Sequence, residues 1–136
     1  PNFLNLFMVG FASSFSAKLS DTFSSEIGKR FGKRTFLITT LKPVSPGTEG
    51  AISIEGSIAG LLGSFIMTVF MLNLSIISGL SVAFIVFLSG YLATFLESYI
   101  GAVVQNKIDW MTNELVNSIQ TSIAAIISIF LYLNFV

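Results

Sequence analysis

The sequence predicts an all-α, polytopic membrane protein of about four helices, and three observations carry that prediction. Of 136 residues, 53% are hydrophobic and only 10% charged, against about a quarter charged in a soluble domain. Two stretches, Gly56 to Leu96 and Leu115 to Val136, contain no Asp, Glu, Lys or Arg, and each exceeds the roughly 20 apolar residues needed to cross a bilayer. The mean hydropathy of +0.84 agrees.

The first apolar segment, residues 3–19, places Phe3, Phe7, Phe11 and Phe15 four apart, a helical period. Ser13, Ser14 and Ser16 thicken towards its end, and such a helix needs protein neighbours on its polar side. The segment begins abruptly, without a basic flank, so further helices are expected before Pro1, or a second copy of the chain beside it. Residues 18–55 hold ten of the fourteen charges together with Pro43 and Pro46 and read as the only sizeable extramembrane stretch. Further spans are expected over 52–74, 81–104 and 118–136, the first two joined by a short turn near Asn73 to Leu80. All of this forms a single membrane-embedded domain. Lys and Arg favour cytoplasmic loops, which puts 18–42 on the cytoplasmic or stromal side. Two crossings later, the 105–117 connector returns to the same face.

Zero formal net charge excludes a global field that would gather nucleic acid. The absence of Cys and His excludes disulfides and thiolate or imidazole chemistry, so any metal must take oxygen ligands, as Mg²⁺ does. Three polar sets are candidates. Asp21, Ser24, Ser25 and Glu26 end the first span, where solvated interfacial charges are the ordinary alternative; Asp21 and Glu26 need some unwinding to reach one ion. Lys42, Thr48, Glu49, Ser53 and Glu55 are interleaved with Gly47, Gly50 and Gly56, glycines that let backbone N–H groups approach an anion. No Walker pattern occurs, so a P-loop is not supported. Glu97, Ser98, Gln105, Asp109, Asn113, Glu114 and Asn117 form the third set, with capping and interhelix bonding as alternatives for the two asparagines. Small residues fall in stripes at Gly56, Gly60 and Ser64, and at Gly90, Ala93 and Gly101, which suits close helix packing. Glu97 interrupts the second stripe, and a carboxylate inside a span is costly without a partner.

The runs Ser20-Asp21-Thr22-Phe23-Ser24-Ser25-Glu26-Ile27-Gly28, Thr39-Thr40-Leu41-Lys42-Pro43-Val44, Pro46-Gly47-Thr48-Glu49-Gly50-Ala51 and Ser53-Ile54-Glu55-Gly56 resemble the phytyl-phosphate kinases of photosynthetic cells. Leu96-Glu97-Ser98-Tyr99-Ile100-Gly101-Ala102 and Asn113-Glu114-Leu115-Val116-Asn117 continue the likeness. The resemblance implies phosphoryl transfer from a nucleoside triphosphate, CTP in the related isoprenoid alcohol kinases, to phytyl phosphate, as in the salvage of chlorophyll phytol towards tocopherol and phylloquinone. A cyanobacterial-type membrane or plastid envelope would be its setting. On that reading Asp21 and Glu26, joined by Glu97, bind Mg²⁺. Lys42, Lys29, Arg30, Ser53 and the turn containing Gly47, Thr48 and Gly50 hold the nucleotide phosphates. Glu55-Gly56 is similar to a Glu-Gly pair in phytol and dolichol kinases, where Lys-Ser usually precedes it; Ser53-Ile54 stands there instead. Rival readings are nucleotidyl transfer to a CDP-linked lipid and a transporter or channel subunit with Glu97 and Asp21 on an ion path.

Overall fold

The computed structural model describes residues 2–105 and 107–136. Four long helices, α1 (Phe3–Phe31), α2 (Ile54–Asn73), α3 (Leu80–Ile100) and α4 (Asn113–Phe135), form a bundle; a small antiparallel strand pair, β1 (Phe36–Leu37) and β2 (Ala51–Ile52), lies between α1 and α2 in sequence. A π-turn, Gly101–Gln105, extends α3.

Helix α1 occupies the centre, packing against all three others. Its sequence explains why. Ala12, Ser13, Ser16, Ala17 and Ser20 are fully buried, whereas Phe3, Phe7, Phe11 and Phe15 remain largely exposed on the opposite side, where lipid can receive them. Small inward residues let neighbouring backbones come close. A Cβ added at Gly63 of α2 would sit 2.8 Å from the Leu19 carbonyl oxygen, and one at Gly90 of α3 would sit 2.8 Å from Ser16 Cβ and 2.9 Å from the Ala17 nitrogen. Hydroxyls then link the approaching helices. Ser16 Oγ lies 2.7 Å from Ser64 Oγ, and Ser64 donates to the Phe87 carbonyl at 2.7 Å.

These pairings fix direction. Gly28 faces Gly56 while Ser16 meets Ser64, so α2 runs antiparallel to α1. Ser16 against Gly90 and Ser20 against Thr94 make α3 parallel to α1. Gly10 against Ile129 and Ala17 against Gln120 turn α4 back again. The C-terminal ends of α1 and α3 and the N-terminal ends of α2 and α4 therefore share one end of the bundle. The other end holds an apolar cluster of Val9, Ala12, Met71, Ile77, Val82, Ala83, Ile85 and Val86.

Two expectations change. Instead of ending near residue 19, α1 continues without a break to Phe31. Its polar residues bond back to its own backbone, Thr22 Oγ1 donating to the Lys18 carbonyl and Ser25 Oγ to that of Thr22, and Lys29 and Arg30 in the last turn complement the helix dipole. Helix α4 starts at Asn113 rather than 118, because Thr112 caps it, accepting from the Leu115 N–H at 3.3 Å. Three helical stretches, Ile54–Asn73, Leu80–Gln105 and Asn113–Phe135, are long and apolar enough to cross a membrane. Helix α1 is not among them, its composition being diluted by the inward serines and the charged C-terminal third.

Between the strands the chain folds back over the end of α3. Leu37 N–H donates to the Lys42 carbonyl, Val44 N–H to that of Thr35 and Ile38 N–H to that of Gly50. Gly50, with φ of +76°, lies so close to α3 that an added Cβ would overlap Ala102 and stand 2.7 Å from the Ser98 carbonyl.

Gly90→Val should push α1 and α3 apart and destabilise the bundle by about 1–3 kcal/mol, seen as a lower thermal midpoint in detergent, while Ile126→Ala on the exposed side of α4 should change little. Gly50→Val should release the loop instead. Amide exchange at Ile38 and Ala51 should then accelerate by about tenfold or more, with the helices still protected.

Candidate functional site at the polar end of the bundle

Where the four helix ends meet, the molecule encloses a cavity of about 460 Å³, within the range of small-ligand sites. Helix α1 contributes Lys18, Asp21, Thr22, Ser25, Glu26 and Lys29; α3 contributes Glu97 and Ser98; α4 contributes Asn113 and Asn117; and the loop from Pro46 to Ser53 closes one side.

Asp21 is only 8% exposed. Lys18 Nζ lies 3.3 Å from its Oδ2, the only ion pair among the described residues. Glu97 is partly buried on α3 and feels the charges of Asp21 and Glu49. Several carboxylates in one partly dehydrated space repel one another, and a cation relieves that cost. Lys18 supplies one positive charge, which leaves an excess of negative charge near the floor.

One helical turn deeper, the carboxylates rest on a rigid polar layer. Thr94 donates to Ser20 Oγ at 2.9 Å, and the fully buried Gln120 donates to the Ala17 carbonyl at 3.1 Å. These bonds tie α1, α3 and α4 together beneath Asp21, Glu97 and Asn117, so the floor is preorganised. Three buried acceptors, Asn117 Oδ1, Gln105 Oε1 and Gln120 Oε1, have no hydrogen-bond partner among the described residues. Asn117 lines the cavity itself.

The closing loop is shaped by glycine. Gly47 at φ +89° and Gly50 at φ +76° occupy backbone conformations that side chains resist. Thr48 Oγ1 donates to the Ser45 carbonyl at 2.7 Å and the Ala51 N–H to that of Thr48 at 3.0 Å. Ser53 caps α2, accepting from the Gly56 N–H at 3.0 Å.

Of the residues singled out from sequence, the fold brings Asp21, Glu26, Lys29, Gly47, Thr48, Gly50, Ser53 and Glu97 onto this cavity. Arg30, Lys42 and Glu55 do not line it. Arg30 is exposed in the last turn of α1, Lys42 is exposed on the strand connection, and Glu55 stands in the first turn of α2. The ligand set of Asp21, Glu26 and Glu97 is not assembled as such. Among the described residues no three acidic side chains converge to hold an ion, and on an unbroken α1 residues 21 and 26 point about 140° apart. Lys18 is a cavity residue that sequence reasoning did not assign to the site, and Glu49, grouped from sequence with Lys42 and Thr48, joins it there. The i, i+3 spacing of Lys18 and Asp21 was the available signal.

The donor set still suits Mg²⁺. That ion commonly takes one or two carboxylates and completes its shell with water and substrate phosphates. Asp21 and Glu97, with the unpartnered Asn117 Oδ1, are hard oxygen donors of this type.

Comparison with known proteins gives a consistent family. The chain is 50% identical over 121 residues to the uncharacterised membrane protein sll0875 of Synechocystis, a match covering 89% of this chain and 46% of that protein. It is 47% identical over 129 residues to the protein VTE6, chloroplastic, of Arabidopsis thaliana, covering 93% of this chain and 38% of the relative. It is 35% identical over 128 residues to the uncharacterised membrane protein MJ0933 of Methanocaldococcus jannaschii, covering 94% and 52%. The chain thus spans about half the length, or less, of the curated relatives it matches. No solved structure matches it significantly. The profile of integral membrane protein DUF92 covers residues 2–125, from the central helix to the middle of α4, and the chain belongs to that family of integral membrane proteins.

Proposed function

We propose that the protein containing this chain transfers the terminal phosphoryl group of a nucleoside triphosphate, CTP, to an isoprenoid monophosphate of the phytyl phosphate type. The carrying observation is the composition of the cavity, in which carboxylates, two lysines and a glycine-shaped turn face one space at the polar end of an otherwise apolar bundle. The resemblance of the motifs around Asp21, Gly47 and Glu97 to phytyl-phosphate kinases supports the same reading. A chloroplastic relative and a cyanobacterial one support a plastid or cyanobacterial membrane, with the cavity on its stromal or cytoplasmic side.

In this reaction the bond between the β-phosphate bridging oxygen and the γ-phosphorus breaks and a new bond forms from a phosphate oxygen of the acceptor, leaving CDP and the isoprenyl diphosphate. The acceptor phosphate is already ionised, so no strong general base is needed. Mg²⁺, when bound, supplies charge neutralisation. Asp21 and Glu97 hold it and the deeper layer of Thr94 and Gln120 keeps them apart at a fixed spacing. Lys18 and Lys29 offset the charge on the transferring oxygens, which is most of what phosphoryl transfer asks of a protein. The Gly47 to Gly50 turn brings backbone N–H groups to the phosphates. Apolar surface on α2 and α3, including Phe65, Phe84 and Phe87, receives the isoprenoid tail.

One observation favours transport instead. Buried Ser13, Ser16, Ser20, Ser64, Ser89, Thr94, Gln120 and Ser128 thread the bundle, and an ion path needs polar groups at depth. Most of these groups are occupied with neighbouring helices or their own backbones, as with Ser64 on Phe87 and Ser128 on Ala125, which is the pattern of interhelical packing. The kinase reading therefore takes precedence.

Full-length protein in detergent, given labelled CTP, Mg²⁺ and phytyl phosphate, should yield phytyl diphosphate and CDP. A CDP-linked lipid would indicate nucleotidyl transfer, and an absence of nucleotide turnover would favour transport. Asp21→Asn should cut turnover by about 100-fold or more with insertion unchanged, whereas Lys42→Gln, outside the cavity, should cost about threefold at most. Full activity in Asp21→Asn would remove that carboxylate from the site.

A further inference from the structure

Beside the strand pair the molecule carries a second concavity, an open groove of about 450 Å³. Lys33, Arg34 and Thr35 line it together with Phe36, Pro43 and Val44. The fold builds this juxtaposition. Phe36 bridges to Pro43, and the Val44 N–H donates to the Thr35 carbonyl at 3.0 Å, which brings the segment of Pro43 and Val44 alongside the one that follows the two cations.

Neither cation is explained by the bundle. Lys29 and Arg30 complement the C-terminal end of α1, but Gly32 ends that helix, so Lys33 and Arg34 lie beyond it. Neither forms an ion pair, the only one among the described residues joining Lys18 to Asp21. Thr35 lines the same groove, and its Oγ1 is shut off from solvent with no hydrogen-bond partner among the described residues. Thr35 and Pro46 also line the acidic cavity, so the two spaces share these residues. Gly32 lines the groove directly after Phe31, an apolar side chain 59% exposed at the end of α1.

Two cations and a spare hydroxyl suit an anion with several acceptor oxygens, and Phe36, Pro43 and Val44 in the same groove suit a hydrocarbon attached to it. We propose that this groove binds a phosphate group carried on an apolar chain. Such a group reaches it from either of two sources, a phospholipid headgroup of the surrounding bilayer or a lipid monophosphate presented for reaction. The site does not depend on phosphoryl transfer taking place in the neighbouring cavity.

The test is a titration of the full-length protein in neutral detergent, without nucleotide, using farnesyl monophosphate, phosphatidylglycerol and inorganic phosphate, with bound adducts counted by native mass spectrometry. At least one of the two lipids should bind, and Lys33→Gln combined with Arg34→Gln should weaken it by about tenfold or more. Both positions are exposed, so the variant should elute and unfold like the parent. Thr35→Val should weaken binding and Thr35→Ser restore it, while Lys107→Gln, the loss of one positive charge outside the groove, should have no effect. Preference for phosphatidylglycerol assigns the groove to the bilayer, and preference for farnesyl monophosphate assigns it to a lipid substrate. Undiminished binding in the double variant, an equal loss in Lys107→Gln, or inorganic phosphate binding as tightly as either lipid would overturn the proposal. Because no turnover is measured, failure here leaves the reading of the acidic cavity standing.

Discussion

The structure depends on how closely α1 can be approached. Inside lipid, helices gain little from burying apolar surface against each other, so association rests on close contact and on hydrogen bonds between them. Helix α1 offers alanine and serine to three partners, and Gly63 and Gly90 on those partners come within van der Waals contact of its backbone. Larger side chains on these faces would separate the four helix ends and dissolve the polar cavity they enclose.

The same economy of size decides where polarity is tolerated. A serine hydroxyl can donate to a carbonyl within its own helix or across to a neighbour, and Ser14 does both, reaching Gly10 and Thr121. Carboxylates have no such recourse. Asp21 and Glu97 are therefore confined to the end of the bundle where Lys18, backbone N–H groups and water are within reach. A glutamine marks the transition between the two regimes. Gln120 braces three helices through its amide nitrogen yet leaves its oxygen without a donor, which keeps the floor polar one turn below the acidic groups.

Much of this was legible in the sequence. The uncharged runs identified α2, α3 and α4, the four-residue spacing of phenylalanines against serines gave α1 its two faces, and counting crossings brought residues 18–55 and 105–117 to one end. The errors arose where local chemistry outweighed composition. Polar residues after Leu19 looked like the end of a helix, but side-chain bonds to the helix's own carbonyls carry it to Phe31. That continuation leaves no room for the unwinding that the sequence required for Asp21 and Glu26 to reach one ion. Lys42 and Arg30 looked suited to phosphate by type and neighbourhood. Which way they face depends on pairings such as Phe36 with Pro43 and Gly50 with Ala102, which join residues distant in sequence and leave no periodic trace.

The connection from α2 to α3 spans residues 74–79, and contains serine, glycine and aliphatic side chains but no charge. During biogenesis such a hairpin can enter the bilayer as a unit, because no ionised group has to be dragged through the hydrocarbon to reach the far side. The two ends of the bundle therefore differ in what it costs to carry them across a bilayer, an asymmetry present before any helix has found its partner.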